Sequence, residues 1–163
     1  MDLPDFSLPH AEKIEWMIET AGWAIESVPA QIDSDPPIPG YSYTIGFPSA
    51  FGFAEVLVFG LAPVAAKGVF ELTAELLSGG TVIPLGVELT GLFDNGLRCV
   101  FAPVDLDEWS DLVATAVAWY RTAPFEVVQL LWPDRRGVLP TEPGFDPRVR
   151  NAQPVIGTMG STE

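Results

Sequence analysis

YSYTIGF at residues 41–47, running on to FAEVLVFGL at 53–61, and VVQLLWPDRRG at 127–137 are the stretches whose reading decides the fold. In the first, Tyr41, Tyr43, Ile45 and Phe47 alternate with Ser42, Thr44 and Gly46, the period of two that sends successive side chains to opposite faces of a strand. A strand with one aromatic face and one small, polar face is expected over 41–47. Residues 55–61 are almost continuously apolar, as a central strand covered on both faces would be. The third stretch predicts a last strand over 125–132, the turn Pro133-Asp134-Arg135-Arg136-Gly137 and a short extended piece at 138–140.

Working outward, Ser7 is placed to cap a first helix over about residues 8–21, with Ile14, Met17, Ile18 and Ala21 at helical spacing and Gly22 as its stop. Trp23 to Val28 alternates as a strand, and Pro36, Pro37 and Pro39 make residues 30–40 a long loop, a candidate rim for a binding site. Pro63 opens a helix to about Ser78, with Lys67, Glu71 and Glu75 outside, Val69, Phe70, Leu72, Leu76 and Leu77 inside, and Gly79-Gly80 at its end. Residues 81–90 are a strand or an extended arm, and Asp94-Asn95-Gly96 turns into a strand over 97–104. A third helix is expected from Asp105 and Asp107 to about Arg121, burying Trp109, Leu112, Val113, Ala116 and Tyr120. Residues 141–163 form a C-terminal arm or tail. The whole predicts one α+β domain over 1–163, with a mixed, mainly antiparallel sheet of five or six strands and about three helices.

Composition narrows the functional classes. The chain has 163 residues, enough for one core, and 22 acidic side chains against 8 basic ones give a net charge of −14. Such a surface repels phosphate backbones and lacks the basic stripe of a nucleic-acid binder, so no nucleic-acid partner is expected. A cationic protein partner would be drawn to it, and the same acidity also serves solubility. No stretch has the ~18 uninterrupted apolar residues of a membrane span. The first residues are acidic, without a basic or apolar leader, and Cys99 is the single cysteine. These features predict a cytoplasmic protein with no membrane association.

The chemistry is defined mainly by what is missing. His10 is the one histidine, at the start of a surface helix, so neither a His-based triad nor the usual zinc and iron ligand sets can form; no metal and no cofactor are expected. Asp105, Asp107, Glu108 and Asp111 stand where a helix N-terminus favours acids, which explains them by capping. Cys99, inside a strand, is expected to be a buried, inert thiol. Neither a Rossmann nor a P-loop fingerprint occurs. What remains is a polar and aromatic set beside core strands: Tyr43, Thr44, Gln129, Trp132, Arg135 and Arg136 as candidate ligand-binding residues, with Glu55 and Asp134 as candidate acid–base carboxylates. Two accounts fit them. In one they form a structural network, Gln129 bonded to a tyrosine or the backbone and Glu55 to Arg135 or Arg136. In the other, Tyr43, Glu55, Gln129, Trp132 and Arg135 converge on one cavity with an arginine anion clamp.

GWAIESV, YSYTIGF, EVLVFGL, QLLWPDRRG and QPVIG, in this order from about Ile14 to Ile156, resemble the bacterial domain-of-unknown-function family 4262. The YTIG and WPDRRG blocks are its specific parts. Where members often carry G-H-P-E before the apolar strand, this chain has Gly52-Phe53-Ala54-Glu55. The resemblance implies a compact, cytoplasmic α+β domain and no substrate. Function is therefore expected to be non-enzymatic binding of a protein partner or a small anionic ligand. The alternatives are a hydrolase or transferase using Glu55 or Asp134 with an arginine, and an immunity or antitoxin-like protein for a basic partner. Oligomeric state is left open.

Overall fold

The computed structural model describes residues 10–91 and 98–159. The expected cap at Ser7, the Asp94-Asn95-Gly96 turn and Leu97 lie outside the described residues. One mixed sheet is built from β1 (Ala24–Val28), β2 (Tyr41–Ile45), β3 (Glu55–Phe59), β4 (Val100–Val104) and β5 (Val127–Leu131), in the order β1-β2-β3-β5-β4. Among the described strands, β3 and β5 run parallel and the other pairs are antiparallel. Among the described residues, three helices are seven residues or longer: α1 (His10–Ala21), α3 (Pro63–Ser78) and α5 (Ala114–Tyr120). The shorter ones are α2 (Phe47–Phe51), α4 (Leu106–Trp109) and α6 (Pro147–Arg150). The architecture is α+β, as the patterning predicts.

Helices cover both faces of the sheet, which is why β3, at its centre, is apolar on both sides. Val56 and Val58 pack with Phe70, Phe101 and Leu130 toward α3, whereas Leu57 and Phe59 join Tyr41, Tyr43, Ile14 and Ala116 toward α1 and α5. The deepest positions of α3 are Ala66, Phe70, Thr73 and Ala74; Val69, Leu72, Leu76 and Leu77 are only partly buried. Small residues let the helix axis approach the sheet closely, which pushes the leucines to the flanks. Thr73 is tolerated inside because its hydroxyl donates to the Val69 carbonyl at 2.8 Å.

Two elements differ from the pattern. The strand expected over 41–47 ends at Ile45, because Gly46 adopts φ 115 and the chain turns into α2. Phe47 consequently joins the α3 layer while the tyrosines stay on the other. The long third helix is broken into α4, a 3₁₀ turn (Ser110–Val113) and α5. Its freed backbone groups are taken up by β2: Tyr41 Oη donates to the Leu112 carbonyl at 2.6 Å, and the Thr115 amide donates to Tyr43 Oη at 3.2 Å. Asp105 caps α4 by accepting from the Asp107 amide at 2.9 Å, the role expected of that acidic cluster.

Residues 81–90 form an arm along β4: the Gly86 amide donates to the Phe101 carbonyl, and Leu89 pairs with Cys99. The described part of the C-terminal segment also wraps back, with Gly157 bridging Val104. Arg98 ties these arms together by donating to Glu88 and Glu142. Cys99 is buried, and burial pushes its thiol up to about 12, so it is inert at neutral pH.

Candidate functional site

Glu26, Tyr43, Leu57, Gln129 and Ala102 are register partners in one row across the sheet. The two candidate binding residues in that row are thus separated by Leu57, and each is taken up by a different element. Tyr43 is buried against the first turn of α5 as described above. Burial raises its hydroxyl above the ordinary 10.0; the Thr115 hydrogen bond opposes the shift and the Glu26 charge adds to it. Gln129 is buried beneath the C-terminal segment: its Nε2 donates to the Pro154 carbonyl at 2.6 Å, and its Oε1 accepts from the Ile156 and Gly157 amides at 2.8 and 2.9 Å. The amide acts as a piece of strand backbone for a segment that has no strand of its own.

Glu55 is fully buried and is not bonded to Arg135 or Arg136. Its Oε1 accepts from Thr44 Oγ1 at 2.8 Å and the Phe47 amide at 3.2 Å. Its Oε2 accepts from the Gly46 amide at 2.7 Å and from the Tyr120 hydroxyl. Thr44 in turn accepts from the Val56 amide at 2.9 Å, so its hydroxyl is used on both sides. The carboxylate therefore holds together the end of β2, the start of α2 and the end of α5. Four donors thus occupy the buried carboxylate, in a structural network that joins three elements.

The WPDRRG block is likewise structural at its core. Trp132 Nε1 donates to the Phe59 carbonyl at 2.9 Å, while the Trp132 amide and carbonyl pair with the side chain of Gln153 at 2.9 and 3.0 Å. Gly60 makes this approach possible, since a Cβ there would lie 2.7 Å from the Ala152 carbonyl oxygen and 3.1 Å from the Trp132 ring. Asp134 is buried and organises the turn: Oδ1 accepts from the Arg136 and Val138 amides, and Oδ2 from the Asp146 amide. Arg136 donates to the Gly144 carbonyl, and Arg135 is exposed. Phe53 packs edge-on against Phe101 with ring centroids 5.9 Å apart. The expected convergence of Tyr43, Glu55, Gln129, Trp132 and Arg135 on one cavity is not what the chain builds. Tyr43, Glu55, Gln129 and Trp132 instead close separate non-local joins, and Arg135 is exposed.

A groove does open between α1 and α5. It encloses about 580 Å³ and is lined by Ala11, Ile14, Ala114, Ala118 and Trp119, with His10, Glu15, Thr115 and Arg121 as the polar lining. Three alanines on facing helices leave the space empty. Beneath it, Glu26 of β1 joins the elements: its Oε2 accepts from Thr115 Oγ1 at 2.6 Å and lies 2.7 Å from His10 Nε2. His10 is exposed at a helix start, as its position predicts, but it is tied to the sheet. Both partners converge on one carboxylate oxygen, so the geometry fixes the helices and does not deliver the Thr115 proton to His10. The sequence pattern did contain one hint: Glu26 interrupts the apolar alternation of GWAIESV. For Thr115, Trp119 and Arg121 there was none, because the break in the helix that sets their direction depends on tyrosines about seventy residues away in the chain.

Glu55, Gln129, Trp132 and Asp134 line neither this groove nor the three others around β1, the 30–40 loop and α4. The loop nominated as a rim does border one of these, a groove of about 660 Å³ walled by Pro29, Ala30, Pro39 and Gly40. No group of three or more His, Cys, Asp or Glu among the described residues is arranged to hold a metal ion. No helix among them is long and apolar enough to cross a membrane.

By fold and site, this is an α+β protein whose buried polar networks are structural and whose α1/α5 groove has the size of a small-molecule site. Within that class, the chain belongs to the Domain of unknown function (DUF4262) family, whose model matches residues 17–146. The match takes in Glu26, Glu55, Thr115, Trp119, Arg121 and the WPDRRG turn; His10, Glu15 and the Gln153 to Gly157 segment fall outside it. No curated protein and no solved structure matches the chain.

Proposed function

We propose that the protein is a non-enzymatic binding module whose ligand is a small, largely apolar molecule seated between α1 and α5. The observation that carries this reading is the groove itself: about 580 Å³, apolar walls and a few polar groups, the build of small-molecule sites of roughly 300–1,000 Å³. The Glu26 clamp on Thr115 and His10 supports it, because it fixes both walls before a ligand arrives and so lowers the ordering cost of binding. A cytoplasmic location goes with this reading, since the single cysteine offers no internal disulfide.

The test is thermal unfolding with and without indole, a neutral aromatic probe, on the natural chain and on Ala118→Phe. Ala118 is exposed on α5 and lines the groove, so the phenyl ring fills the site without entering the core. Indole at about 100 times its Kd is expected to stabilise the natural chain by about 2.7 kcal/mol. The effect should vanish in Ala118→Phe. No stabilisation of the natural chain, or equal stabilisation of both, would remove the groove from consideration.

A further inference from the structure

The chain reverses straight after α5 in a turn that carries arginine where the geometry calls for glycine. The Ala123 amide donates to the Tyr120 carbonyl at 2.9 Å, closing a β-turn, and Arg121 occupies its second position with φ 57 and ψ −108. These are the angles of a type II′ turn, whose second position is the province of glycine. Among the described residues, Arg121 is the one non-glycine with positive φ. The need for the turn is plain: Tyr120 donates to Glu55 and stacks on Phe125 at 4.5 Å, so the chain must double back at once. That need explains the turn but not the arginine, since glycine would make it without strain. Within the fold, moreover, the Arg121 guanidinium makes no hydrogen bond or ion pair among the described residues. It lines the α1/α5 groove together with Trp119 and Thr115.

We infer that Arg121 is the specificity-determining residue of the groove and that its ligand is an aryl or alkyl carboxylate. The inference rests on reading the groove as a binding site and adds its chemical class. Apolar walls suit the body of such a ligand, and a planar guanidinium matches a carboxylate with two parallel hydrogen bonds. Glu15 on the same lining and the net charge of −14 weigh against a dianion such as a phosphate monoester. Glu26 is bonded to Thr115 and His10 and makes no ion pair with Arg121.

Phenylacetate, its neutral isostere phenylacetamide, and phenyl phosphate are titrated calorimetrically into the full chain and into Arg121→Gln and Arg121→Gly, with a melting curve for each protein. The natural chain is expected to bind phenylacetate roughly 10–100-fold more tightly than phenylacetamide, with the ratio falling to within about twofold in both variants. Arg121→Gly should also raise Tm by roughly 2–4 °C, since it relieves the turn. An arginine present for structure alone would give the opposite sign, and a fall in Tm overturns the inference. Equal binding of acid and amide, a preference for phenyl phosphate, or a preference that survives Arg121→Gln does so too. If all three compounds fail while indole binds, this inference alone falls; if indole fails as well, the groove reading falls with it.

Discussion

Glu55→Gln is expected to destabilise the protein by about 2–4 kcal/mol, and Glu55→Ala by about 3–5 kcal/mol, in urea unfolding at neutral pH. The amide is a poor replacement for a specific reason. The Gly46 and Phe47 amides donate to different oxygens of Glu55, so whichever way a glutamine amide is turned, one buried backbone N–H faces an NH₂ group that cannot accept. Thr44 does not relieve the conflict, because even a hydroxyl that accepts from the glutamine NH₂ leaves the Gly46 or Phe47 amide without its acceptor. A loss under about 1 kcal/mol would show that the network rearranges and that the join it makes is dispensable.

Burial raises the Glu55 pKa above the ordinary 4.5, against the four hydrogen bonds that lower it. A carboxyl raised in the folded state contributes stability that is fully present below 4.5 and is lost as pH rises through the folded value. Glu142 has the opposite sign: the Arg98 guanidinium holds it at about 2, so its contribution is present above 4.5 and lost as pH falls. The stability advantage of the natural chain over Glu55→Gln should therefore shrink as pH rises from 4.5 toward neutrality. An advantage that grows with pH would mean that the fold lowers the Glu55 pKa instead of raising it.

The second large effect is expected at Gln129. Leucine fills nearly the same volume, so Gln129→Leu leaves no cavity and its cost reports the lost hydrogen bonds. With the Pro154 carbonyl and the Ile156 and Gly157 amides deprived of their partner, about 2–4 kcal/mol should be lost and the C-terminal segment should lift from β5. Gly157→Ala should do the same by another route, since a Cβ there would sit 2.6 Å from the Ala102 Cβ. If both act by releasing one segment, the double variant is no worse than the more damaging single one. Trypsin cleavage after Arg148 or Arg150 should accelerate alike in all three proteins. Additive losses, or cleavage at the rate of the natural chain, would sink the shared mechanism.

The polar residues of the signature blocks were visible in the sequence, and their use was not. Gln129 is legible as a buried amide in need of a tyrosine or backbone partner, and the backbone supplies it. Glu55 was legible as a carboxylate at the mouth of an apolar strand, but its donors are backbone amides and hydroxyls instead of arginines. One donor, Tyr120, lies 65 residues away. Trp132 looks like a binding residue and Asp134 like an acid–base carboxylate, yet the join to Gln153 and the Asp146 amide occupies their polar atoms. The alanines that hollow out the α1/α5 groove carry no signal at all until two helices are set face to face.

From the sequence by itself follow the α+β class, the central place of β3, the bounds of α3 and membership in a family marked by YTIG and WPDRRG. These rest on periodicity and turn chemistry, properties of a few neighbouring residues that burial on one or two faces then enforces. Tertiary structure alone decided that a predicted helix breaks so that Tyr41 and Tyr43 can complete its ends. It also decided that Glu26 ties two helices to the sheet and that a strained Arg121 faces a groove. The physical reason is that a buried polar group is satisfied by whichever partner the packed chain brings within about 3 Å, and no local pattern records that choice.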